Sequence, residues 1–425
     1  MRRLLIPVLL VAAGATAACG TSVRKHQAQR LAEADALFMR GCHSCLVRAF
    51  DTYTALRGEG YQPALVAGKA FDTAILLAAR EKELAMEAER WIARAEALAG
   101  AVRSPEGLRY PLYLEIVRAL PWALGRHDRD FRNGAMIAAE PVLDALDRWE
   151  TALGPPAARP IAAAYLMISA RCAFTPPRRQ ETLTVILVSH PHAPLVRYAA
   201  GRCRSELRAQ LDAVAGDPDF HEAAFELGRL RLYDGGATVH LDARVLLEAA
   251  HAAMPEAVAP AYLLAGVLSA LEEHEACAAM YDEVIARGGA KRESMLNRTI
   301  CLTHATKRQD AIASATELID TPGILRGEAF FWRAWNQYHA KNLPIARIDV
   351  DEAKTLFQDA DVYALSGFIA YDMDQKAYAY TEFAEALRRN REYCVAAFYQ
   401  GLIDSQKEQW EPAAARYAAA TGCYE

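Results

Sequence analysis

The residues best placed to do chemistry in this 425-residue chain are its cysteines, and two of them stand as Cys42-His43-Ser44-Cys45. That spacing can carry thiol exchange, because a helix N-terminus lowers a thiol pKa. It can also give two thiolates to zinc, but no second such pair completes four ligands. No histidine follows Cys45, so covalent haem is not indicated. Redox proteins that use the motif sit on a βαβ core, whereas both flanks here have helical periodicity. The reading is a local disulfide that caps a helix ahead of Leu46 and Phe50, with thiol-redox chemistry through Cys42 and Cys45 as an alternative.

Other reactive patterns are missing. There is no G-x-x-x-x-G-K-[ST], no G-x-G-x-x-G and no G-x-S-x-G. His221-Glu222 lacks the second histidine of a zinc-protease helix, and His190-Pro191-His192 sits in a turn without further ligands nearby. Acidic residues are scattered as on solvated helix faces. The expectation is a non-enzyme with no cofactor and no metal. A net charge of -5 leaves no basic footprint, which argues against nucleic acid.

The first residues read as a targeting signal over 1–18: Met1, Arg2 and Arg3, then an apolar run from Leu4 to Ala18. That run is shorter than the roughly 20 apolar residues that span a bilayer. Thr16-Ala17-Ala18-Cys19-Gly20 resembles a bacterial lipoprotein box, in which the cysteine receives lipid and becomes the first residue. Thr16 departs from the leucine usual in that pattern, and Ala15-Thr16-Ala17 also fits ordinary signal-peptidase cleavage. Lipidation at Cys19 implies an exported chain, tethered in the periplasm or at the outer membrane, with 19–30 as a short polar leash. Without Cys19, eight of the nine cysteines remain, and an exported chain sits where disulfides persist.

The elements that must position these groups are helices. Apolar residues recur at three and four almost throughout, broken by turns such as Gly154-Pro155-Pro156 and Gly216-Asp217-Pro218, with no sustained period of two. Cys277, Ala311, Ala346, Ala379 and Ala413 follow one another at 34, 35, 33 and 34 residues. Four residues on come Tyr281, Ala315, Val350, Phe383 and Tyr417. Twelve residues before each anchor come Ala265, Thr299, Ala334, Gly367 and Gly401, all small. This resembles the tetratricopeptide repeat, a helix pair with small residues at the crossing and a larger one filling the gap. The family's usual tryptophan near the unit start is replaced by Ala261, Met295, Phe330, Tyr363 and Ala397. The resemblance implies an all-α chain, a right-handed superhelical solenoid of antiparallel helix pairs. It is clear over 216–425, reaching upstream to Gly228, Ala243, Leu247 and Ala250, and degenerate over 31–215.

On that register Cys394 and Cys423 fall at the same end of the last pair, and Cys277 and Cys301 at similar height on neighbouring helices. Either pair could bridge if the Cα atoms lie within about 7 Å. Cys172 and Cys203 occupy like positions in successive pairs, a looser constraint. The resemblance also implies a concave groove lined by the first helix of each unit. Tyr262, Asn297 and His304 fall on or near it, then Phe331, Trp332, Trp335 and Tyr338, then Phe368 and Tyr371, and last Phe398 and Tyr399. Trp335 and Phe368 are expected in one row, Tyr338 and Tyr371 in another, with about half of the rings serving as core.

Flat rings suit a peptide or sugar. The expected function is a non-enzymatic exported scaffold, anchored to the membrane through Cys19, that holds a protein or peptide partner at the cell envelope. The alternative is a solute-capture lipoprotein that takes a small glycan or transported ligand in the same groove. The sequence leaves the oligomeric state open.

Overall fold

The computed structural model describes residues 6–100, 109–121, 145–174, 181–203, 208–234, 237–289, 291–323 and 325–422. Among these, every regular element is helical. The chain divides into two compact units, one running to Leu263 and the other from Leu264 onward. The repeat-like positions Gly228, Ala243, Leu247 and Ala250 fall in the first unit.

The second unit is a stack of helix pairs. Its elements are α13 (Val258–Ala270), which begins in the first unit, α14 (His274–Ala286), α15 (Lys291–His304), α16 (Arg308–Asp320), α17 (Arg326–His339), α18 (Leu343–Leu356), α19 (Ala360–Asp372), α20 (Lys376–Arg389), α21 (Cys394–Gln406) and α22 (Trp410–Thr421). Short connections leave neighbours antiparallel. Each helix from α14 to α22 packs on the next in the chain, apart from turns, and α15 and α19 also touch α17 directly.

The positions that repeat in sequence are the ones the stack buries. Cys277, Ala311, Ala346 and Ala379 have no exposed surface, and Ala265, Thr299 and Ala334 are equally buried. Bulk is excluded there because ridges can enter grooves only where helix axes approach within roughly 8–10 Å. At Gly367 the approach leaves no room for a side chain: a Cβ would lie 2.6 Å from the Phe383 ring. Phe383 fills the space beside that contact and is fully buried. Where Thr299 replaces a small apolar residue, its hydroxyl bonds Ser314 Oγ at 2.8 Å and the Met295 carbonyl at 2.9 Å, so the polar group is satisfied.

The turns inside the pairs share one geometry that has no glycine signature. Glu272, Thr306, Lys341, Asp374 and Glu408 all have left-handed φ, between 59° and 62° for the first two and near 60° to 63° for the others. The next residue closes back on the carbonyl five positions earlier, as in Lys307 to Leu302 and Asn342 to Gln337, each at 2.9 Å. These are Schellman closures of the first helices.

The first unit holds α1 (Ile6–Arg40), α2 (His43–Gly58), α3 (Pro63–Leu84), α4 (Glu89–Ala99), α5 (Tyr110–Ala119), α6 over 145–153, α7 (Ile161–Phe174), α8 (Glu181–Ser189), α9 (Pro194–Cys203), α10 (Arg208–Ala215), α11 (His221–Asp234) and α12 (Ala237–Ala253). Its centre is α3, which touches α2, α4, α5 and α7. The polar stretch 19–30, expected as a leash, is helical within α1. Gln27 and Arg30 there bond the Glu59 carboxylate, at 2.9 and 2.6 Å.

Candidate functional site

The cysteine pair that opens the chemistry is closed. Cys42 and Cys45 form a disulfide with Cα atoms 5.0 Å apart, and Cys42 caps α2 by accepting the Cys45 N–H. Both residues are buried, so thiol exchange would require the start of α2 to open. Cys277 and Cys301 also pair, at a Cα separation of 6.1 Å, and Cys172 with Cys203 at 5.4 Å. Cys394 opens α21, and Cys423 lies outside the described residues. No group of three metal-ligating side chains occurs among the described residues.

Several acids expected on solvated faces are buried around α3. Arg80 has no exposure, pairs with Glu222 at 2.7 Å, and stacks over the Tyr198 ring at 3.8 Å. Glu81 accepts from Arg90 at 2.7 Å and Trp91 at 2.6 Å, and faces His43 Nε2 at 3.2 Å. Burial alone would raise the Glu81 pKa, but the bonds from His43, Arg90 and Trp91 outweigh it and hold the carboxyl below its ordinary value. Glu83 accepts from Tyr165, Ser169 and Arg202. Glu222 of the His221-Glu222 pair is thus structural. So is His190, whose ring nitrogens meet the carbonyls of Ile186 and Arg159. These groups tie helices together.

The second unit carries a chain of rings, most of them on its first helices. His274 stacks on His304 at 5.1 Å, and His304 meets Trp332 at 6.1 Å. On α17, Phe331 lies between Trp332 and Trp335, and Trp335 meets His339 at 4.8 Å. Burial, followed by the nearby Asp372 carboxylate, pushes the Tyr338 pKa up. Beyond it, Tyr371 and Tyr399 meet edge to face at 5.3 Å, and Phe398 reaches Tyr417 at 5.6 Å.

Sequence reasoning placed several of these residues on this face, and the structure sorts them. Trp332, Trp335, Tyr338, Phe368, Tyr371 and Tyr399 are half-buried, His304 is exposed, and Phe398 keeps 46% of its surface. Phe331 is instead buried, part of a core cluster that draws Met295 and Leu318 from the preceding pair and Val362 and Leu365 from the following one. Tyr262 is buried and falls in the first unit. Asn297 is spent on a bond to the Tyr281 hydroxyl at 3.2 Å. Trp335 does not reach Phe368 by ring contact; Phe368 packs on Phe383 and Tyr399 instead. Tyr338 does not reach Tyr371 by ring contact either; Tyr338 meets His339 and Tyr371 meets Tyr399.

Residues the sequence reasoning missed are His274, His339 and Asp372. The last two could have been found from the period, since His304, His339, Asp372 and Gln406 occupy one position at the end of successive first helices.

Two cavities of the second unit are lined by none of the rings just described. One of about 550 Å³ is lined by Gln358, Asp359, Asp361, Arg389, Asn390 and Tyr393 among others, and one of about 440 Å³ by charged side chains including Glu275, Asp282, Arg298 and Glu317.

No protein-family model matches the chain, and no curated protein matches it. Solved structures do resemble it. A tetratricopeptide repeat protein from Parabacteroides merdae is 13% identical, with a TM-score of 0.43, covering 61% of this chain and 93% of its own. PilF of Pseudomonas aeruginosa is 16% identical with a TM-score of 0.40, covering 46% of this chain and 88% of its own. YrrB, a tetratricopeptide protein described as having an unusual peptide-binding site, is 16% identical with a TM-score of 0.33, over 42% of this chain and 91% of its own. At these values the architecture rests on the chain's own packing: an all-α solenoid of helix pairs in its second unit, with tetratricopeptide-like crossings.

Proposed function

We propose that the chain is a non-enzymatic scaffold that holds a protein or peptide partner against the first helices of its second unit. The observation that carries this reading is the run of half-buried rings from Trp332 to Phe398, which the stack does not need to bury and leaves open along successive helices. Large flat side chains contribute contact area at small entropic cost. Direct contact of α17 with α15 and α19 supports placing these helices on the inner side of the stack. Export and lipid anchoring through Cys19 belong to the same proposal, supported by the Met1–Cys19 segment and by cysteines placed for disulfides. No helix among the described residues is long and apolar enough to cross a membrane.

Trp335 and Tyr338 replaced together by alanine tests the reading. Cross-linking in the native envelope should recover a polypeptide with the parent chain and lose it with the double variant, at unchanged helical content and melting. Loss of folding, or capture that is unaffected, would refute it. Intact mass of the mature chain checks the anchor.

A further inference from the structure

One residue of the aromatic chain is electrostatically misplaced. First helices α15 and α17 end on His304 and His339, and the same position of α19 is Asp372. The C-terminus of a helix carries partial negative charge, so a cation is favoured there and a carboxylate is not. Among the described residues, the cation near it is not one the fold buries. Lys341 Nζ lies 3.9 Å from Asp372 Oδ2 and 5.5 Å from the centre of the Tyr338 ring, on a side chain that is 77% exposed. Asp372 itself keeps 32% of its side-chain surface.

Tyr371 and Tyr399 stand at 85° to each other, and Gln406 fixes the Tyr371 hydroxyl at 2.9 Å. Asp372 also acts electrostatically on the Tyr338 and Tyr399 hydroxyls, raising the pKa of both behind the larger effect of burial. A carboxylate beside a tyrosine ring attracts a cation twice, by charge and by the ring quadrupole. The geometry already seats one ammonium there, held by a weak, solvent-screened contact.

We infer that Asp372, with Tyr338, Tyr371 and Tyr399, is the subsite for a lysine or arginine side chain of the bound polypeptide, which displaces Lys341. This rests on the proposed peptide-binding face and adds the chemistry of its ligand. The direction is set by charge complementarity: the ligand must bring a cation to the α19 end of the ring chain.

The test uses the full mature chain and three fluorescein-labelled decapeptides of alternating alanine and a second residue, which is arginine, its neutral isostere citrulline, or glutamate. The arginine peptide should bind about tenfold more tightly than the citrulline peptide, the size of one partly desolvated cation–π contact with an ion pair. Asp372→Asn should erase that difference and leave citrulline binding unchanged, which a merely structural role for Asp372 would not do. Lys341→Gln should tighten arginine binding about two- to threefold by removing the competing ammonium. Equal binding of the three peptides, or an arginine preference that survives Asp372→Asn, would overturn the subsite while leaving the peptide face standing. Absence of arginine-peptide binding by the parent chain would also overturn it, and envelope cross-linking would then decide the peptide face separately.

Discussion

Gly367→Ala should destabilise the second unit, although alanine is the better helix former. In the middle of α19 the exchange gains about 1 kcal/mol of helix propensity. Against this, the new Cβ would stand 2.6, 2.7 and 2.9 Å from three atoms of the Phe383 ring, all inside van der Waals contact. That ring has no exposed surface and is held by Phe368 at 5.3 Å and Tyr399 at 5.3 Å, so it cannot swing aside. Overpacking of this kind costs roughly 1–3 kcal/mol. With a rigid ring the upper half of that range applies, and the net loss is about 1–2 kcal/mol. The matched control is Gly266→Ala in α13, where a Cβ meets nothing within 4 Å. There the propensity gain should stand alone, about 1 kcal/mol of stabilisation. Urea unfolding followed by far-ultraviolet circular dichroism measures both, and Phe383→Leu in the Gly367→Ala background should recover part of the loss. If Gly367→Ala stabilises as Gly266→Ala does, the close crossing is not what selects glycine, and the packing explanation of the repeat fails.

Two further outcomes concern the first unit. Arg80→Met should lose about 3–5 kcal/mol, because it leaves the buried Glu222 carboxylate without its cation; the Arg80→Met, Glu222→Met double variant should be more stable than Arg80→Met alone, and a single variant within about 1 kcal/mol of the parent would contradict this. Glu81 sits below its ordinary pKa, so its contribution is present above the unfolded value near 4.3 and is lost as pH falls through the folded value. Glu81→Gln should therefore flatten the fall in stability below about pH 4.5, and an unchanged acid limb would remove Glu81 from the account.

The second unit was legible because its constraint is local and periodic. Small residues at Ala334 and Gly367 and a ring at Phe383 are each demanded by one crossing, and the crossing recurs. The first unit was not, for a physical reason. Arg80-Glu81-Lys82-Glu83 reads as a solvated charge run, and only the arrival of Arg202 and Glu222 from more than a hundred residues away, together with Tyr165, His43 and Arg90, makes burial possible. Pairing across more than a hundred residues leaves no mark on spacing. The turns escaped notice for a different reason: Thr306 and Lys341 take left-handed backbone without glycine, because the Schellman closure that follows fixes them. On the ring face the period gave the helix and its side but not which rings are covered. Phe331 and Trp332 are adjacent in sequence, and the first belongs to the core.

The central claim, that the rings on the first helices are where a partner sits, is tested most directly by placing a photoreactive phenylalanine at single sites in the native envelope. Trp332 and Phe398 lie on the ring chain, and Ile348, 64% exposed on the second helix α18, serves as the reference. Irradiation should give a polypeptide adduct from 332 and 398 and none from 348. Adducts from 348 alone, or in equal yield from all three, would contradict it.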